Sequence, residues 1–145
     1  ARALEDGVIE PEWSIQIGIR THEPDDFGIR IIYGHEVEEM RVSDIVYAIR
    51  ERTAGRKVYI TFDIDCLDPA FAPGTGTPVA GGPSSAKMLS VLRALGDLDI
   101  VGADIVEVAP AYDHADITAI AGASVAMHYL GLLAERKAKR AMEQG

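Results

Sequence analysis

Residues 58–82 read VYITFDIDCLDPAFAPGTGTPVAGG, and this stretch decides how the chain folds. The first five residues are β-branched or aromatic, which favours a buried strand. Three carboxylates follow at Asp63, Asp65 and Asp68, and then a run rich in proline and glycine. The stretch therefore predicts a core strand that ends in carboxylates and continues into an ordered, turn-rich loop.

The spacing of the first two aspartates suggests a cation site. Residues two apart in a strand point to the same side, about 6.5 Å apart, so Asp63 and Asp65 can converge. Crowded carboxylates repel each other, and hard divalent cations prefer oxygen ligands. The alternative is that both residues are helix caps or turn formers at a strand end. Spacing alone leaves both interpretations open, because Asp-x-Asp is a short and common pattern.

The chain before this stretch predicts two strands and a helix. Residues 13–20 alternate apolar and polar side chains, which indicates a strand, and residues 30–33 indicate a second, short one. Ser43 is predicted to cap a helix that runs to about Arg52, with Asp44 favourable in its first turn. The strand–helix–strand order that leads into residue 58 predicts a right-handed crossover and parallel pairing.

The chain after the loop predicts a second helix, a fourth strand and a long last helix. Ser84 or Ser85 caps the second helix, and residues 99–108 form a buried strand. Asp113 or Asp116 caps the last helix. The fold class is therefore α/β, a three-layer sandwich in which helices cover a mostly parallel sheet.

Further candidate site residues lie where strands end, which is where open α/β sheets bind ligands. Glu107 closes the fourth strand, whereas Asp104 is expected to be a structural hydrogen-bond partner. His22 and Glu23, in the loop 21–28, are candidates for contacting a substrate, and a solvated turn is the alternative for that loop. His35 is expected to be a surface or hydrogen-bonded residue.

Composition excludes several classes of function. The formal charge of −9 argues against a nucleic-acid surface. The single cysteine, Cys66, cannot form an internal disulfide and is interpreted as a packing residue. No apolar run is expected to reach the length of a membrane span. The sequence thus predicts a cytoplasmic protein that does not bind membranes.

The longer string TFDIDCLDPAFAPGTGTPVAGG resembles the third signature of the ureohydrolase family, which contains arginases and agmatinases. The segments IQIGIRT and DIVEVAPAYD are most similar to the agmatinase branch, and the resemblance runs over residues 14–137. In that family the residue at Asp63 would bridge two Mn²⁺ ions, and Asp65 would bind one of them. Asp68 is not a ligand there and is expected to hold the loop by hydrogen bonds.

The resemblance implies hydrolysis of a guanidino compound to urea and an amine. Asp65 would accept a proton from the attacking water, Glu107 would hold the guanidinium group, and Thr77 would add a hydroxyl beside it. His22 would contact the substrate tail. Agmatine is the expected substrate, and guanidinobutyrate or another guanidino acid is the alternative.

The sequence also departs from the family pattern. Ligand-bearing GxxH and HxDxHxD-like segments are absent, and family members are considerably longer. We therefore expect the chain, residues 1–145, to be the C-terminal portion of a single domain, inactive without its N-terminal half. The complete protein is expected to be a trimer or hexamer. Two rival hypotheses are a non-catalytic binding or regulatory module of the same fold and a deacetylase-type hydrolase with one zinc ion.

Overall fold

The computed structural model describes residues 2–21 and 25–143, and these form parallel strands and helices. In chain order these are α1 (Arg2–Glu5), β1 (Ile15–Ile19), β2 (Arg30–Tyr33), α2 (Gly34–Glu39), α3 (Val42–Thr53), β3 (Lys57–Asp63), α4 (Ser85–Arg93), β4 (Asp99–Val106) and α5 (Ile117–Glu143). Short 3₁₀ turns occupy Pro11–Trp13, Ile64–Cys66 and Pro110–Tyr112. The four strands and the α/β class agree with the sequence prediction.

Strand pairing differs from the prediction in one respect. The described strands form two separate parallel pairs, β1 with β2 and β3 with β4. The predicted parallel pairing of β2 with β3 across α3 is therefore wrong. A βαβ crossover requires two strands of the same sheet, and the residue pattern does not show which strands share a sheet.

Helix starts follow local capping in one case and not in another. The hydroxyl of Ser84 accepts the backbone N–H of Lys87 at 3.2 Å, so Ser84 caps α4 as predicted. Ser43 does not cap α3, because the helix begins at Val42, two residues earlier than a cap at Ser43 would place it, with Arg41 in the cap position. The guanidinium group of Arg41 pairs with Asp44 at 3.1 Å across this first turn.

One hydrophobic core joins the helices to both strand pairs. Its members are the buried apolar side chains of β2, α2, α3, β3, α4, β4 and α5, together with several from the segments that follow β3 and α4. The largest that are almost wholly inaccessible are Ile45, Ile64, Leu67 and Ile100. Ile64 and Leu67 flank Cys66 in the segment that follows β3. The backbone after Asp63 is therefore anchored in the core by apolar side chains on both sides of the turn.

The last helix corrects the expectation that no apolar run reaches the length of a membrane span. Ile117–Met142 is long and apolar enough to cross a membrane by length and composition. However, Ala121, Val125, Tyr129 and Leu132 lie in the core at helical spacing and are at most 8% exposed. This is the pattern of a helix that packs one face on a protein interior.

Candidate functional site

The turn after β3 holds the two leading aspartates in different backbone settings. The strand ends at Asp63, and Asp65 lies within the following 3₁₀ turn, Ile64–Cys66. The carboxylate of Asp63 accepts the backbone N–H of Asp65 at 3.1 Å. Asp63 thus caps the turn, as the alternative interpretation of the spacing had it. The two carboxylates come together through a tight turn and not along one face of a strand.

The position of Asp63 disfavours the ionised form of its carboxyl group. Burial raises its pKa to about 6, and the negative charges of Asp65 and Glu107 act in the same direction. The hydrogen bond from the Asp65 N–H opposes the shift but does not cancel it. A group with this environment favours either a proton or a nearby cation.

The proline- and glycine-rich loop is held by Asp68 and reaches back to Asp65. One oxygen of Asp68 accepts the N–H of Ala70 at 2.9 Å, and the other accepts the N–H of Gly81 at 2.8 Å. This confirms that Asp68 orders the loop by hydrogen bonds. Farther along, the hydroxyl of Thr77 donates to Oδ2 of Asp65 at 2.9 Å. The loop therefore orients one oxygen of the Asp65 carboxylate.

Glu107 follows directly on β4 and faces the same loop. Its backbone is left-handed, with a φ of 64°, which is uncommon for a residue with a side chain. A Cβ atom placed on Gly76 would lie 3.9 Å from Oε2 of Glu107. The Glu107 carboxylate is thus exposed to solvent and lies beside the backbone of Gly76, the residue before Thr77. Asp104, two residues before the end of β4, instead accepts the hydroxyl of Tyr59 at 3.0 Å, as a structural partner.

Gly74 joins the loop to the start of α5. Its carbonyl accepts the N–H of Ala109 at 2.8 Å, and its N–H donates to the hydroxyl of Thr118 at 2.7 Å. Thr118 is fully buried, so this hydroxyl has no access to water. These bonds fix the loop relative to the segment that carries Glu107.

Asp113 caps α5, as predicted for Asp113 or Asp116. It accepts backbone N–H groups of Thr118 and Ala119, each at 3.0 Å, and that of His114 at 2.9 Å. Desolvation acts to raise the pKa of Asp113, but these hydrogen bonds outweigh it and lower the pKa to about 2. The cap is therefore ionised at neutral pH and stabilises the helix start next to Gly74.

Four of the residues selected from sequence thus lie around one edge of the fold, at the carboxyl ends of β3 and β4. These are Asp63, Asp65, Thr77 and Glu107, linked through the contacts above.

The other candidate residues do not join this group. His22 and Glu23 lie outside the described residues. His35 is exposed and stacks on Tyr33, with 6.0 Å between ring centroids. Burial raises the pKa of Cys66 to about 12, which agrees with a packing role.

The donors at this edge suit a hard cation but make only part of a site. Asp63 and Asp65 offer carboxylate oxygens, which are the ligands that divalent cations such as Mn²⁺ accept. Within residues 2–21 and 25–143, no group of three or more His, Cys, Asp and Glu side chains is arranged to hold a metal ion. A cation beside Asp63 would offset the burial and the neighbouring carboxylates that raise its pKa, and further ligands would have to come from other residues.

Sequence reasoning did not identify Arg20, which follows β1 and contacts this edge. Its guanidinium group donates to backbone carbonyls of Gly18, Asp65, Cys66 and Val79. No pattern of side chains in the sequence predicts such bonds, because every acceptor is a main-chain oxygen. The one available signal was an arginine at the carboxyl end of a strand.

Comparisons with known proteins agree with this architecture. Residues 1–131 match the arginase family. An agmatinase from Proteus mirabilis is 53% identical over 135 residues, which cover 93% of this chain and 44% of that protein. A crystal structure of a hypothetical agmatinase from Burkholderia thailandensis superposes with a TM-score of 0.93 at 52% identity, covering 96% of this chain and 44% of the other.

A second solved structure is more distant in sequence. The proclavaminate amidino hydrolase from Streptomyces clavuligerus has a TM-score of 0.88 at 41% identity, covering 93% of this chain and 46% of that one. The chain therefore spans a little under half the length of the relatives it matches. Because the family match covers most of the chain and the fold agrees with it, this chain belongs to the arginase family.

Proposed function

We propose that this chain is the C-terminal part of a metal-dependent hydrolase that splits a guanidino compound into urea and an amine, with agmatine as the first substrate to test. The observation that carries the proposal is the meeting of Asp65, Thr77 and Glu107 at one edge. The Thr77 hydroxyl bonds Asp65 at 2.9 Å, and Glu107 faces the backbone at Gly76. Membership of the arginase family and similarity to agmatinases support the same chemistry.

Asp63 and Asp65 would hold two Mn²⁺ ions together with ligands from the remainder of the protein. When bound, the ions would act as Lewis acids that make a water molecule a better nucleophile near neutral pH. Positive charge there would also offset the burial and the repulsion from Asp65 and Glu107 that raise the pKa of Asp63. The Thr77 hydroxyl would keep the Asp65 carboxylate in one rotamer, because it occupies Oδ2.

Glu107 would bind the guanidinium group of the substrate. A carboxylate and a guanidinium group pair through parallel, charge-assisted hydrogen bonds, which fix both position and orientation. The left-handed backbone at Glu107 turns its side chain out of the strand direction at the end of β4. Asp65 would take up one proton of the attacking water as the water oxygen adds to the guanidinium carbon. Return of that proton to the leaving nitrogen would break the C–N bond, and the remaining hydroxyl proton would pass to the released amine, which leaves urea and the ammonium product.

The tail of the substrate has two candidate classes, an amine and an acid. Relatives include agmatinases, whose name specifies an amine-tailed guanidine, and a proclavaminate amidino hydrolase. We propose agmatine and keep guanidino acids such as guanidinobutyrate as the second class. The complete protein would be a cytoplasmic homo-oligomer.

The test compares two glutamate variants of the full-length protein loaded with manganese. Glu107→Gln is expected to lower kcat/KM for agmatine at least ~100-fold, since it removes the charge that pairs with the substrate. The matched control is Glu51→Gln on α3, which breaks an exposed pair with Arg30 of β2 and should leave kcat/KM unchanged. A Glu107→Gln enzyme as active as the control would refute the assignment. Absence of urea from both agmatine and guanidinobutyrate in the unmodified protein would favour the non-catalytic module, whereas release of acetate from acetylated amines without urea would favour a deacetylase.

A further inference from the structure

The guanidinium group of Arg20 donates four hydrogen bonds to main-chain carbonyls. Nε donates to the carbonyl of Val79 at 2.9 Å, and Nη1 donates to those of Gly18 at 2.7 Å and Cys66 at 2.8 Å. Nη2 donates to the carbonyl of Asp65. One side chain thus ties together the end of β1, the turn after β3 and the end of the glycine-rich loop.

The acceptors explain what this arrangement does. All four are main-chain oxygens, and two belong to consecutive residues of the turn that carries Asp65. A guanidinium group is planar, and its five N–H donors have fixed directions, so the positions of its acceptors are fixed relative to each other. The carbonyls of Cys66 and Val79, which are 13 residues apart along the chain, are therefore held in a fixed relative position by one rigid group. Thr77 lies two residues before Val79 and so shares this constraint.

We propose that Arg20 is a positioning residue for the proposed hydrolase, acting through the backbone of Asp65 to hold its carboxylate against Thr77. Arg20 does not touch the reacting atoms in this scheme. The inference rests on the proposed function for its effect on turnover. Its effect on the backbone of the turn is independent of any reaction.

The chain contains a matched control in Arg52 of α3. Its guanidinium group also donates to main-chain oxygens, those of Ser14 at 3.0 Å, Pro11 at 2.9 Å and Gly28. Ser14 and Gly28 precede β1 and β2, so Arg52 acts at the opposite ends of the strands from Arg20. Replacing either arginine by lysine keeps the charge and removes the planar fork. A general loss of stability should appear in both variants, whereas a positioning effect should appear only in Arg20→Lys.

The first readout is made on the full-length protein with manganese and agmatine. Arg20→Lys is expected to lower kcat, or the affinity for Mn²⁺, by ~10–100-fold, the usual cost of removing support from a ligating residue, while KM for agmatine changes less. Arg52→Lys is expected to keep kcat and Mn²⁺ affinity within about threefold of the unmodified protein. Equal values for Arg20→Lys and Arg52→Lys would overturn the proposal.

The second readout needs no activity, so it separates failure of the positioning role from failure of the proposed function. In the metal-free protein, amide hydrogen exchange is followed at Leu67 and Asp68, whose N–H groups bond to the carbonyls of Ile64 and Pro83. Arg20→Lys is expected to speed exchange there at least ~10-fold more than Arg52→Lys does, because the turn opens locally. If the unmodified protein releases no urea but this difference is found, the proposed function fails and the positioning role stands. Indistinguishable exchange rates would refute the role itself.

Discussion

Replacing Gly74 by alanine perturbs the contact between the loop and the start of α5 without changing any charge. A Cβ atom at this position would lie 2.6 Å from Cβ of Asp113, 2.8 Å from its Cα and 2.9 Å from its Cγ. Ordinary contacts of this kind begin at 3.4 Å. The loop and the helix cap must therefore separate by about 0.8 Å, since neither Cα nor Cβ of Asp113 can rotate away.

This movement lowers the free energy of unfolding through two effects, a close contact and a weakened hydrogen bond. Overpacking of a close contact destabilises a fold by about 1–3 kcal/mol. The same shift stretches the 2.7 Å bond from the Gly74 N–H to the buried hydroxyl of Thr118, and a buried donor left without a partner costs about 1–3 kcal/mol. We expect a total loss of about 2–4 kcal/mol in the free energy of unfolding, since the two effects overlap. In a domain of this size that lowers Tm by about 6–12 °C.

Thermal unfolding followed by circular dichroism measures this loss. The matched control is Gly131→Ala in α5, where an added Cβ meets nothing within 4 Å. Alanine at an exposed helix position should stabilise the chain by about 0.5–1 kcal/mol, so the two glycine substitutions should shift Tm in opposite directions. A Gly74→Ala chain that melts within about 2 °C of the unmodified chain would refute the claim that the loop and the α5 cap are in rigid contact.

Three further predictions concern acid stability, the core and the site. The pKa of Asp113 is about 2 in the fold, against an ordinary value of 3.8, so its ionised form contributes stability that is present above pH ~4 and is lost as the pH falls towards 2. Asp113→Asn should therefore flatten this part of a plot of unfolding free energy against pH. Leu67→Ala, at a side chain only 2% exposed, should cost about 2–5 kcal/mol in urea unfolding, whereas Leu130→Ala, at 63% exposure, should stay within about 0.5 kcal/mol of the unmodified chain. Thr77→Val should lower urea release by the full-length protein ~10–100-fold, and Thr77→Ser should retain most of it, because serine keeps the hydroxyl bonded to Asp65.

Local features of the site were predictable because they depend on neighbouring residues. An apolar run followed by aspartates and then by prolines and glycines specifies a strand end and a loop, and both are found. Ser84 caps α4 because a serine before an amphipathic helix satisfies the first N–H groups. Asp63 and Asp65 lie close together, but through the turn that follows β3 and not along one face of a strand, because the strand ends at Asp63.

Features that depend on distant parts of the chain were not predictable in this way. The pairing of β2 with β1, and not with β3, is decided by packing between elements that the residue pattern does not encode. Arg20 donates to carbonyls 45, 46 and 59 residues away. Every residue has a main-chain carbonyl, so the residue types do not indicate which carbonyls accept these bonds. The short helix α2 was missed because it begins at a glycine and is only six residues long.

The most direct test of the proposed chemistry is manganese-dependent urea release from agmatine. The full-length protein would be dialysed against a chelator, assayed, and assayed again after Mn²⁺ is restored, with the isolated chain of residues 1–145 measured beside it. The proposal predicts urea from the full-length protein only after Mn²⁺ is restored, and none from the isolated chain under either condition. Urea release that is unaffected by removing the metal, or equal rates from the isolated chain, would contradict it.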